Sequence, residues 1–168
     1  MDFVLSPSWT DVTVDPFKLV DIALASWYER IDKIAWDVTN LIRADEEEIF
    51  NRARMLRPNM AITNTDLDLH RIHTSAKDAI FMLEALDTAI RSVDMALSAH
   101  MALPGSQARE GMWENTHRLL RHRSELFHST RLRTLSSQER IRNTVDLVRI
   151  HNARLFLSSN RKKKHLLG

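Results

Sequence analysis

The sequence predicts an all-α protein, an elongated antiparallel bundle of three long helices with coiled-coil-like seams. Two stretches carry an apolar residue at every step of a strict alternation of three and four. The first is Phe17, Val20, Leu24, Trp27, Ile31, Ile34, Val38 and Leu41; the second is Leu69, Ile72, Ala76, Ala79, Leu83, Leu86, Ile90, Val93 and Leu97. That spacing gathers each set on one narrow helical face turned toward a partner. The third observation is a scarcity of breakers, with 3 Gly and 4 Pro in 168 residues, against usual shares of about 7% and 5%. Turns are therefore few and elements long.

Residues 1–14, with Pro7, Trp9, Val12 and Val14, read as an irregular arm. Asp15-Pro16 then starts a helix, because Asp supplies a capping oxygen and Pro lacks an N–H that would be orphaned at the first helical position anyway. This helix is expected over 16–57, where Pro58 stops it. Asn59 to Thr65 reads as a polar linker, with Asn64 or Thr65 able to cap a second helix over 65–103 and Asp66 and Asp68 placed in its first turn. Pro104-Gly105-Ser106 ends it, and connections this short make consecutive helices antiparallel.

The third helix is expected over 107–160, with Trp113, Leu120, Phe127, Ile141, Val145, Val148 and Leu155 on one stripe. Its seam is interrupted by Ser124, Arg131, Thr134 and Gln138. Polar groups left unpaired in a dry seam cost about 1 to 3 kcal/mol each, so this section is expected to face water, another subunit or a polar channel. These four residues are the expected interaction surface. The competing reading of the interruption is a helix break near Leu135-Ser136-Ser137.

The 43% hydrophobic content suits one domain with a real core, and the absence of Cys excludes disulfides, thiolate catalysis and Cys-type zinc sites. The N-terminus does not have the basic and then apolar layout of a secretory signal. No window approaches the roughly 18 apolar residues of a membrane span. Net charge is +2, but residues 1–108 carry 10 Lys+Arg against 17 Asp+Glu, while residues 109–168 carry 14 against 5. Acidic helices can thus attract a basic one, within a bundle or between subunits.

Asp66, His70 and His73 fall at i, i+4 and i+7 and share one helical face, a pattern that can bind a divalent metal or simply be solvated. Asp87 and Asp94, and Glu46-Glu47-Glu48, offer oxygens for weak outer-sphere magnesium binding; otherwise no cofactor is expected. His117, His122 and His128 read as surface residues. There is no nucleophile–base constellation and no glycine-rich phosphate loop, so an enzyme is not expected. Arg161-Lys162-Lys163-Lys164, in a basic tail over 161–168, has no interleaved aromatics, which weakens a nucleic-acid reading.

Two segments carry a family resemblance: Leu83-Glu84-Ala85-Leu86-Asp87-Thr88-Ala89-Ile90, and the run Leu132-Arg133-Thr134-Leu135-Ser136-Ser137-Gln138-Glu139-Arg140-Ile141-Arg142-Asn143-Thr144-Val145-Asp146-Leu147-Val148. With an acidic hairpin, a Pro-Gly turn and a long basic helix in that order, residues 16–158 resemble the cytoplasmic helical stalk of CorA-like magnesium transporters of the divergent fungal type. In that family the last helix packs around a fivefold axis and runs into the first membrane span. This sequence contains no membrane span and no Gly-Met-Asn pore signature, so the resemblance implies a pore-less relative, a truncated product or an excised portion, expected in the cytoplasm. The expected function is a non-enzymatic module that binds a protein partner or self-associates. The alternative is a nucleic-acid or anionic-membrane binder acting through the basic third helix and tail.

Overall fold

The computed structural model describes residues 15–55, 69–103 and 110–166, with side chains described for 15–51, 70–103, 111–150 and 153. The protein is an all-α three-helix bundle: α1 spans Phe17–Met55, α2 Leu69–Met101 and α3 Glu110–Leu166. The arm over 1–14, the 59–65 linker with its Asn64 or Thr65 cap, and the Pro104-Gly105-Ser106 turn lie outside the described residues.

The start of α1 follows from local chemistry. The Phe17 N–H donates to Asp15 Oδ1 at 3.0 Å, satisfying one of the orphan donors of the first turn. At the other end of α2 the chain tightens, with the Leu103 N–H donating to the His100 carbonyl at 3.2 Å. The expected start of α2 at 65 lies outside the described residues, and α3 runs past the expected end at 160, so 161–166 of the basic tail are helical.

No break interrupts α3 at Leu135-Ser136-Ser137. The Ser137 hydroxyl donates to the Arg133 carbonyl at 3.1 Å, and Thr144 does the same to Arg140 at 2.9 Å. A hydroxyl that finds its own i−4 carbonyl leaves the helix intact.

The chain folds as two compact units that share the three helices, one formed by residues 1–35 with 83–132 and the other by 36–82 with 133–168. In the first unit Leu24, Ile31, Leu86, Ala89, Ile90, Val93, Leu120 and Phe127 form the core. Phe127 is fully buried; Tyr28 meets it edge-on at 5.3 Å and Trp27 tilts against it at 5.8 Å. Here α2 and α3 pair in opposite directions, Asp94 with Ser124 and Asp87 with Arg131. Asp21 bonds Arg123 and Asp32 bonds Thr130, so α1 and α3 run parallel.

In the second unit Val38, Ile42, Ile49, Ile72, Ala79 and Ile141 cluster, with Ala76, Val145 and Val148 packed against them. Fully burying one such aliphatic side chain contributes about 1.5 to 3 kcal/mol.

The α2 stripe is buried or half-buried wherever its side chains are described. On α1 five of the eight residues of the expected stripe are. Leu24, Ile31 and Val38 are buried, but Trp27 (37% exposed), Ile34 (50%) and Leu41 (37%) lie outward. Their C-terminal neighbours take the inner positions: Tyr28 is half-buried, and Ala35 and Ile42 are fully buried. Only at Ala35 is the inner residue a small one, so bulk does not decide which of two adjacent positions points inward.

Candidate interaction groove

The second unit carries an open groove of about 550 Å³ between α2 and α3. Its apolar floor comes from Ile72, Ala76 and Ile80, four residues apart on α2, and from Ile141 and Val145 on α3. One helical face therefore supplies each wall. The rim is polar: His73 on α2, then Gln138, Glu139, Arg142, Asp146 and Arg149 along α3. Ile80 is 44% exposed, an apolar side chain left in water on the groove wall.

A set of buried carboxylates ties the three helices of this unit together. Asp45 is fully buried; its Oδ1 accepts from Arg71 Nε at 2.6 Å and its Oδ2 from the Ser75 hydroxyl at 2.7 Å. Glu48 takes the other arm of the Arg71 guanidinium. The hydrogen bond that Arg71 donates to Glu48 raises the Arg71 pKa above its ordinary value, burial opposes this, and the charge of Asp45 adds to the rise. Glu46, also buried, accepts from Arg140 and lies 3.4 Å from the Thr144 hydroxyl. Each of these charges is paired, which is what makes its burial tolerable.

The four residues expected to form one interaction surface are separated. Ser124 and Arg131 belong to the first unit, Thr134 and Gln138 to the second. Ser124 is buried and donates to Asp94 Oδ1 at 3.3 Å. Thr134 is fully buried. The expectation that the middle of α3 faces outward thus fails at these two positions, because hydroxyls can be satisfied inside a bundle at little cost. The same holds for Thr130, which donates to Asp32 at 3.0 Å, and for Ser137, 3.3 Å from the Thr39 hydroxyl. Arg131 is half-buried and paired with Asp87. Gln138 alone of the four lines the groove.

His70 and His73 are both exposed on α2, and Asp66 lies outside the described residues. Among the described residues no group of three or more His, Asp or Glu side chains is placed to hold a metal ion. Several carboxylates that offered loose magnesium contacts have protein partners instead: Glu46, Glu48, Asp87 and Asp94. The charge asymmetry between the halves is partly consumed inside the fold, since Arg123, Arg131 and Arg140 each meet a carboxylate of α1 or α2.

His122 and His128 are exposed as expected, but His117 is not a surface residue. It is half-buried against His100 and Trp113 in the first unit. His100 itself, fully buried, escaped the sequence reading. Its signal was one heptad's distance from Val93 on the α2 stripe.

Among the described residues no helix is long and apolar enough to cross a membrane. No protein-family model, curated protein or solved structure matches the chain.

Proposed function

We propose that the chain is a non-enzymatic helical self-association module in which the α2–α3 groove of one copy closes on the same groove of a second. The observation that carries this reading is the order of charges on the α3 rim: Glu139, Arg142, Asp146, Arg149. Laid antiparallel about a twofold axis at Thr144, the series is complementary to itself. Glu139 then meets Arg149 of the other copy, and Arg142 meets Asp146. A twofold interface has to be self-complementary in this way.

Rim pairs in water contribute only about 0.2 to 1 kcal/mol each, so they set register while the apolar floor supplies affinity. The acidic hairpin and the long basic helix support a narrower reading, that the module is a relative of the cytoplasmic stalk of CorA-like transporters. That relationship would favour parallel, fivefold packing over an antiparallel pair.

Light scattering on the purified chain, with and without millimolar magnesium, tests both. The expected result is a dimer indifferent to magnesium. Glu139→Arg is expected to weaken it, and Glu139→Arg combined with Arg149→Glu to restore it. A magnesium-responsive pentamer would favour the stalk relationship and reject the antiparallel pair; a monomer at high micromolar concentration would reject self-association.

A further inference from the structure

The first unit contains a chain of titratable groups that the proposed association does not use. His100, fully buried near the end of α2, sits between a carboxylate and a second imidazole: its Nε2 is 3.3 Å from Asp15 Oδ2, and its Nδ1 is 3.4 Å from Nδ1 of His117 on α3. The two imidazole planes lie within 18° and their centroids are 5.6 Å apart. That separation exceeds the nitrogen–nitrogen distance by about two ring radii, so the Nδ1 atoms point at each other almost head-on.

Opposed lone pairs accommodate a proton between them; a tetrahedral metal needs them to converge at an angle. The Trp113 indole lies parallel to both rings, 4.8 Å from His100 and 5.2 Å from His117 by centroid. A ring face in that place favours a cation. Trp113 Nε1 also donates to the His100 carbonyl at 3.3 Å, and Phe17 meets the His100 ring edge-on at 5.1 Å. Since Asp15 Oδ1 caps α1, the group joins the first turn of α1, the last turn of α2 and the first turns of α3.

We infer that His100 and His117 form a latch that holds with one shared proton and opens when a second is bound, releasing the start of α1 from α2 and α3. With both imidazoles neutral, His100 Nε2–H donates to Asp15 and His117 Nδ1–H donates to His100 Nδ1. With one proton added, His100 donates from both nitrogens, to Asp15 and to His117 Nδ1, and the chain stays whole. A second proton sets N–H against N–H and leaves two adjacent cations with one carboxylate.

The charged groups facing the pair are Asp15 from before α1 and Arg121 on α3. Burial, the neighbouring His100 and the Arg121 charge, in that order, hold the His117 pKa below its ordinary value. With the folded-state pKa depressed, the stabilisation is present above about pH 6.5 and is lost as pH falls through the folded value.

The test is hydrogen exchange at the Phe17 amide, with histidine ring NMR, from pH 7.5 to 5. After correction for intrinsic exchange, opening at Phe17 should rise by up to about tenfold per pH unit as pH falls from about 6.5 toward the folded-state pKa of the pair. His117→Asn, which places an amide near the Nδ1 position, should flatten that rise, whereas the surface control His122→Asn should keep it. An unchanged acid response in His117→Asn overturns the latch. Should that variant fail to fold, the wild-type spectra decide. Coupled titration of two histidines together with the Trp113 indole supports the latch, and eight independent histidine titrations overturn it.

Discussion

The two units solve the same packing problem with different chemistry. The first adds rings to its Asp21–Arg123 and Asp87–Arg131 pairs: Phe127 is held by Tyr28 and Trp27, and His100 is flanked by Trp113, His117 and Phe17. The second is closed by charge, with Asp45 and Glu46 buried against Arg71 and Arg140, and it keeps an apolar groove open to water. A guanidinium stays protonated at any physiological pH, whereas an imidazole does not. The ionic unit is thus built for constancy with pH, and the aromatic unit carries the group that responds to it.

That contrast can be broken by substitution, the largest effect coming from the first unit. Leu86 is fully buried, so Leu86→Asp leaves a charge without a partner and should abolish cooperative folding. Far-ultraviolet circular dichroism would show the helical signal lost; a full signal with an unchanged melting temperature would refute the packing described.

Phe127→Ala should cost about 3 to 5 kcal/mol, because the Tyr28 and Trp27 rings would border a cavity, read as a lowered denaturant midpoint. Arg71→Ala should cost about 3 kcal/mol in the second unit, since Asp45 would keep only Ser75 as a polar partner. That variant should remain as insensitive to pH between 7.5 and 5.5 as the wild-type second unit, measured by exchange at amides of residues 38–49.

The smallest effect has the opposite sign. The Thr116 hydroxyl is buried without a hydrogen-bond partner. Thr116→Val keeps its shape and removes the unsatisfied group, and should stabilise the first unit by about 1 kcal/mol, visible as a raised melting temperature. A lowered one would mean that the hydroxyl has a partner, such as water, in solution.

Legibility varied helix by helix for physical reasons. α2 was readable at Ile72, Leu86, Ile90 and Val93, which have no bulkier apolar residue one step away; at Ala79 the stripe held although the bulkier Ile80 beside it stays exposed. On α1, Trp27 beside Tyr28 and Ile34 beside Ala35 offered two adjacent candidates for one inward position, and bulk pointed to the wrong one. Trp36 shows why a large ring can stay outside: Arg133 lies over its face at 4.1 Å, a contact between residues far apart in sequence. The groove was touched only through Gln138, because its walls come from two helices and neither wall is unusual on its own.

The sequence by itself determined the number and order of the helices, and the capping of α1 by Asp15, because these depend on periodicity and on contacts a few residues apart. Only the tertiary structure decided which adjacent residue turns inward on α1, and that the hydroxyls of α3 are interior groups bonded to Asp32, Asp94, Thr39 and Glu46. It alone brought Asp15, His100 and His117 into one line. Those outcomes depend on pairing between residues 17 to 98 positions apart, where a side chain's inside or outside place is set by what the other helix presents at that level.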